Sequence, residues 1–194
     1  MTLVEQLIKQ RTALLNQQDA FAQLPHQSQK AQNALLTLLE ELSWQIDQLQ
    51  TSTYEKIKNH DSTLISNLRS IPGIGPKTAA VLIMVGKGFT TFSNHHQLTS
   101  YVGLAPRIYQ SGTSIKGKGH ICKMGTGRIR SLLYLCALKA KSCNLACKTL
   151  FDRLRAKGKP VKLTLIAVAN KLLKQAFAIA KSGKAYLAPN LIAD

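Results

Sequence analysis

No aspartate or glutamate occurs between Thr63 and Phe151, although that span carries twelve lysines and arginines. A carboxylate at close range repels phosphate, so a long acid-free stretch suits a polyanion and excludes the paired acids of a two-metal nuclease from this block. The nine acids of the chain are Glu5, Asp19, Glu40, Glu41, Asp47, Glu55, Asp61, Asp152 and Asp194, most of them near the N-terminus, where they read as a solvated helix face. Aromatic residues make up only 6%, with Trp44 the single tryptophan. That scarcity leaves few stacking platforms for single strands and weighs against an RNA-binding translation factor or ribosomal protein. No apolar run reaches the ~18 residues of a spanning helix, and Met1-Thr2-Leu3-Val4-Glu5-Gln6 lacks the basic and apolar regions of a signal peptide. A cytoplasmic protein with no membrane partner is expected. The four cysteines, Cys122, Cys136, Cys143 and Cys147, form no CxxC pair. Cys143 and Cys147 could share a helix face and join His120 at a metal, but small helical thiols in a reducing compartment are the stronger reading, and no metal site is expected.

What is present is a net charge of +17, a pI near 10.0 and 45% apolar content. The charge draws the chain to nucleic acid and the apolar content supplies a real core. Residues 1–62 are poor in glycine and patterned for helix: Leu35, Leu38, Leu42, Gln45 and Leu49 form a stripe, widened by Leu39 and Ile46. A shorter stripe runs through Val4, Leu7, Ile8, Arg11, Leu14 and Leu15, with Pro25 as the break. Neither helix is apolar all round, so each needs a partner, in a coiled-coil-like arm that either dimerises or packs on the following domain. Residues 63–194 form a second, basic region. Helices are indicated at about 63–70, 77–86, 95–102, 126–141, 145–157 and 161–181, with breakers at Pro76, Gly103, Gly158-Lys159-Pro160 and Gly183. Residues 105–124 read as a loop or short β-hairpin. The fold class is mainly α.

Two segments carry candidate chemistry. Ser70-Ile71-Pro72-Gly73-Ile74-Gly75-Pro76-Lys77-Thr78 resembles the helix-hairpin-helix motif. Its glycines Gly73 and Gly75 let a tight turn approach phosphate, the next helix offers free N–H groups, and Lys77 and Thr78 add charge and a donor. Such a contact positions DNA without reading sequence; the alternative is a turn used only for packing. The second segment is Ser111-Gly112-Thr113-Ser114. A serine hydroxyl needs help to act as a nucleophile, and the available helpers, Arg107, Lys116, Lys118, Lys123, Arg128 and Arg130, are all cations. Cations stabilise a reacting phosphodiester, so this set suits phosphoryl rather than acyl transfer, with a simple polar turn as the alternative.

In order along the chain, Ser70 to Ala79, Phe92 with Gln97-Leu98, Tyr101-Val102-Gly103-Leu104-Ala105-Pro106-Arg107, Gln110 to Ser114, Arg128-Ile129-Arg130 with Leu132-Leu133-Tyr134, and Gly158-Lys159-Pro160 with Lys171-Leu172-Leu173 resemble the C-terminal transposase domain of the insertion sequence one-ten family. These are bridge-RNA-guided serine recombinases of bacterial mobile elements. The resemblance runs from about Leu64 to Tyr186 and implies DNA and a guide RNA as partners and a nucleoid-associated place of action, while a homo-oligomer through the arm is expected from its helical pattern. It further implies a serine that attacks a DNA phosphate to form a transient serine–DNA ester: Ser111, with Ser114 as second candidate. Arg107, Lys116, Lys118 and Arg130 are assigned to phosphates by charge and proximity alone. Family members begin with a RuvC-like domain whose four acids hold Mg²⁺. This chain is expected to lack that domain, so Mg²⁺ is expected only together with it, and the alternative function is a non-catalytic nucleic-acid-binding or assembly module.

Overall fold

In the computed structural model the described residues are 3–24, 28–107, 110–111, 115–116, 120–122, 124–125 and 127–188. They are mainly helical and divide into two compact units, residues 1–59 and residues 60–194.

The first unit holds α1 (Leu3–Ala22) and most of α2 (Gln29–His60). The break expected at Pro25 falls outside the described residues. In α2 the buried row is Leu35, Leu39 and Ile46, with Leu42 half-buried beside it, while Leu38 is 54% exposed. The stripe therefore runs one residue away from the row expected from alternating threes and fours. An untwisted helix of 3.6 residues per turn keeps positions 35, 39, 42 and 46 on one line, whereas Leu38 falls about 60° to one side. No residue of α1 is fully buried, and the buried Arg11 Nε has no hydrogen-bond partner. A small cavity of about 230 Å³, lined by Gln18, Phe21, Ala22, Gln32, Leu35 and Leu36, lies between the two helices.

The second unit begins with α3 (Ser62–Arg69) and α4 (Pro76–Gly86), followed by a 3₁₀ turn at Lys87–Phe89 and α5 (His95–Val102). Four two-residue strands come next, β1 (Pro106–Arg107), β2 (Gln110–Ser111), β3 (Ile115–Lys116) and β4 (His120–Ile121); then α6 (Gly127–Cys143), α7 (Leu145–Ala156) and α8 (Val161–Ser182) close the unit. Local chemistry sets these boundaries. Asn94 caps α5, its Oδ1 accepting from Gln97 N at 3.0 Å while Gln97 Oε1 accepts from Ser93 N at 2.9 Å, a capping-box-like pair displaced by one residue toward the N-terminus. Asn144 caps α7 in the same way, accepting from Cys147 N at 3.2 Å. This cap also separates Cys143, the last residue of α6, from Cys147 on α7, so the two thiols do not share one helix face.

The core is built on α8, which packs against α3, α5, α6, α7 and the 3₁₀ turn. Leu165, Val168, Ala169, Leu172, Leu173 and Ala176 form its buried face. By length and average composition α8 is apolar enough to cross a membrane, which the lysine-interrupted sequence does not suggest by run length. Here the neighbouring helices cover its apolar face. Burial of such side chains contributes about 1.5–3 kcal/mol each and makes α8 the element on which the others are positioned.

Candidate nucleic-acid interface

The turn between α3 and α4 is held from inside by Ile71 and Ile74, both buried, and by Ile74 N donating to Ile71 O at 3.0 Å. Gly73 adopts φ +102°, and a Cβ there would come 2.7 Å from Ala140 Cβ on α6. Its missing side chain is therefore required by packing. Gly75 is the opposite case: its φ of −88° is open to any residue, and a Cβ would meet nothing within 4 Å. It stands at the exposed start of α4, where no side chain caps the helix and Pro76 fills the first position. Lys77 is exposed beside it. Thr78 differs from expectation. Its side chain is only 6% exposed and its Oγ1 shares a hydrogen bond with Cys136 Sγ at 3.3 Å, so the hydroxyl belongs to the core and only the backbone of Thr78 remains at the helix start.

A buried polar ring supports this turn from behind. Asn144, 1% exposed, donates from Nδ2 to Pro72 O at 3.4 Å and to Gln175 Oε1 at 3.0 Å, and its Oδ1 accepts from Tyr186 OH at 3.4 Å. Tyr186 N donates to Ser70 Oγ at 2.7 Å, and Asn67 Nδ2 donates to Gly183 O at 2.8 Å, so the segment after α8 is strapped onto α3 and its turn. Burial pushes the Cys147 thiol beside this ring up to about 11, so it is a neutral packing group at physiological pH and no nucleophile. Burial also raises Tyr186. None of this ring was evident in the sequence, since its partners stand 31 and 42 residues from Asn144.

The expected hairpin is present as two antiparallel ladders. Pro106 pairs with Ile121 and Arg107 with His120, and farther along Gln110 pairs with Lys116 and Ser111 with Ile115. Its base is fixed by Cys122 N donating to Ala105 O at 3.0 Å. Below the base the backbone of Gly103, φ +81°, lies against Met124, too close for any side chain. Arg130 locks the same seam: its Nη1 donates to Val102 O at 3.2 Å, Met124 O at 2.9 Å and Gly125 O at 3.1 Å. Arg130 is thus a clamp on three carbonyls, a structural role beside the phosphate contact expected of it. A guanidinium carries several N–H donors in a planar fork and suits such a cluster of acceptors better than an ammonium does.

Arg128 is half-buried in the first turn of α6, and its side chain makes no hydrogen bond among the described residues. Ser111 stands on the outermost described rung of the hairpin. For Arg107, Ser111 and Lys116 the backbone alone is described, and Ser114, Lys118 and Lys123 lie outside the described residues. Among the described residues of the second unit no lysine or arginine pairs with a carboxylate; the ion pair there is His60 Nδ1 to Asp61 Oδ2 at 3.3 Å. The described acids of this unit, Asp61 and Asp152, sit on separate elements, and no three metal-ligating side chains gather among the described residues. That donor set does not fit Mg²⁺, which needs convergent carboxylate oxygens.

Residues 65–152 match the family model of the IS116/IS110/IS902 transposases. The chain is 38% identical over 120 residues to the 43.6 kDa protein of insertion element IS110 from Streptomyces coelicolor, covering 61% of this chain and 29% of that protein. It is 35% identical over 150 residues to the pilin gene-inverting protein of Moraxella bovis, covering 76% of this chain and 45% of that one. The pilin gene-inverting protein of Moraxella lacunata is 34% identical over the same length, with the same coverage. The chain spans less than half the length of these relatives.

Proposed function

We propose that the chain, whose residues 65–152 match the family model of the IS116/IS110/IS902 transposases, is the DNA-binding and strand-exchanging part of a bacterial insertion-element recombinase, with Ser111 as nucleophile. The observation that carries this reading is the uncompensated charge of the second unit, whose described lysines and arginines have no carboxylate partners, around a hairpin anchored at a rigid base. Unpaired surface cations keep their full attraction for a polyanion.

In the proposed chemistry the Ser111 Oγ attacks a backbone phosphorus. The Oγ–P bond forms, the P–O bond to one deoxyribose breaks, and the proton lost by the serine ends on the departing hydroxyl. A second attack by another strand's hydroxyl reverses these changes and frees the serine, so each ester bond broken is replaced by one formed. Arg107, Lys116, Lys118 and Lys123 are assigned to the charge on the reacting and adjacent phosphates. Arg128 and Lys77, with the open backbone at Gly75 and the N–H of Thr78, are assigned to flanking phosphates through the helix-hairpin-helix-like turn that Gly73 makes possible. The arm, residues 1–62, joins copies of the protein. Its two helices bury few residues of their own, and Leu38 and Trp44 remain exposed on α2. A guide RNA and the acid-bearing Mg²⁺ domain belong to the same proposal as partners.

The test is an SDS-resistant protein–DNA adduct formed on element DNA when the acid-bearing domain and guide RNA are supplied. Wild-type protein yields the adduct and Ser111→Ala combined with Ser114→Ala abolishes it; an adduct that survives both substitutions sinks the reading. A second reading is a non-catalytic binding or assembly module, in which the uncompensated cations alone act. That reading predicts salt-sensitive DNA binding indifferent to Ser111 that never becomes covalent.

A further inference from the structure

The junction of α7 and α8 presents six exposed cations within fifteen residues, Lys148, Arg153, Arg155, Lys157, Lys159 and Lys162, against the single acid Asp152. None of the six has a carboxylate partner among the described residues. The backbone beneath them is stiff. Lys157 N, Gly158 N and Lys159 N donate to Arg153 O, Arg155 O and Leu154 O at 3.3, 2.9 and 3.1 Å, with Gly158 at φ +71°. Thr164 donates from both N and Oγ1 to Pro160 O at 3.0 Å, and Arg155 Nη1 spans the turn to Lys159 O at 2.6 Å. Arg155 is therefore occupied in holding the turn, while Lys157, Lys159 and Lys162 make no side-chain hydrogen bond among the described residues. A turn already fixed by its own hydrogen bonds loses little freedom on binding, so its charges act at low entropic cost.

We infer that this junction is a second phosphate-backbone contact for duplex DNA, separate from the start of α4. The inference rests on the reading of the second unit as DNA-binding, and not on the serine chemistry. Asn144, which touches Pro72 in the α3–α4 turn, lies at one end of α7 and Lys157 at the other. Twelve helical residues separate them by about 18 Å, a length of duplex that carries about ten phosphates. Along α8, Lys162 stands eight residues, about 12 Å, from Asn170, whose Nδ2 donates to Leu104 O near the base of the hairpin at 3.3 Å. The junction thus lies about half a helical turn of DNA from the α3–α4 turn, and a backbone contact here would orient the duplex rather than read its sequence.

The test compares two triple variants of the full chain. In one, Lys157, Lys159 and Lys162 are changed to alanine, keeping Arg155 and Gly158 so that the turn stays formed. In the other, Lys171, Lys174 and Lys184, exposed elsewhere on the second unit, are changed to alanine for an equal loss of charge. Binding to a short duplex DNA is followed across a salt series, with melting temperature as the check on folding. Loss of three phosphate contacts lowers the slope of log K against log salt by about 2–3, and this is expected for the first variant with little change in the second. An unaltered slope in the first, or equal losses in both, overturns the second contact. So does a loss confined to anionic vesicles, which the neighbouring exposed Val161 and Leu163 would also suit. Wild-type protein that fails to bind the duplex at low salt overturns the DNA reading itself, which separates the two failures.

Discussion

Residues 1–59 carry five lysines and arginines against six acids, a net charge of −1, whereas residues 60–194 carry twenty-one against three, a net charge of +18. The first unit is two helices with a thin buried row and local polar pairs such as Gln45 Nε2 donating to Glu41 Oε1 at 2.9 Å. The second has a layered helical core around α8 and almost no internal charge compensation. The contrast separates two jobs. A unit whose charges balance can approach a copy of itself without repulsion, and a unit that keeps eighteen uncompensated charges resists self-association but gains on every phosphate it meets. The same contrast explains why a protein of such charge folds: none of the described cations of the second unit is buried, and the core beneath them is mainly apolar.

The comparison can be broken at its most rigid point first. Gly73→Ala forces a side chain into Ala140 at a positive φ and should destabilise the second unit by about 3 kcal/mol, from overpacking and backbone strain together. Gly75→Ala, two residues along, should stay within about 0.5 kcal/mol. Urea unfolding of the two variants checks this, and equal losses would mean that the turn is not held against α6 as described. Arg130→Ala should cost about 2 kcal/mol, because it leaves three carbonyls short of a donor. Arg130→Lys should recover only part of this, and full recovery would show that charge rather than the planar fork matters.

A smaller effect concerns pH. The Cys147 thiol titrates near 11 in the fold and at about 8.5 when unfolded, so its stabilising contribution is complete below about 8.5 and is lost as pH rises toward 11. Tyr186, also raised by burial, acts in the same direction. Melting temperature measured from neutral pH upward should fall less steeply in Cys147→Ala than in the wild type; parallel curves would remove the assignment. The smallest effect sharpens the charge comparison. Lys77→Ala should lower the salt slope of duplex binding by about 1, and Lys56→Ala in the first unit should leave it unchanged.

The helices of the second unit were legible because their signals are local. Pro76, Gly103, the Gly158-Lys159-Pro160 junction and Gly183 each end or begin a helix within a few residues of where the sequence indicates. The hairpin was legible in kind, from glycine spacing and alternation between Ala105 and Met124. The candidate site was legible only as a pool of cations. Arg128 and Arg130 are equivalent on paper, yet one is tied to three carbonyls up to 28 residues away and the other is not. Thr78 looked like a donor at a helix start and instead faces Cys136, 58 residues on. In the arm, Leu38 and Leu39 are adjacent and equally apolar, and the packed face takes Leu39.

By itself, then, the sequence determined the charge contrast, the helix boundaries and the family resemblance, because composition and capping act within a turn or two of chain. Tertiary structure decided which glycine is required, which arginine is bound within the protein, and that the polar ring of Asn144, Gln175 and Tyr186 braces the α3–α4 turn. Those outcomes depend on backbone carbonyls and side chains brought together from distant segments. Hydrogen bonding and close packing fall off within a few ångströms, so only the folded chain establishes which groups meet.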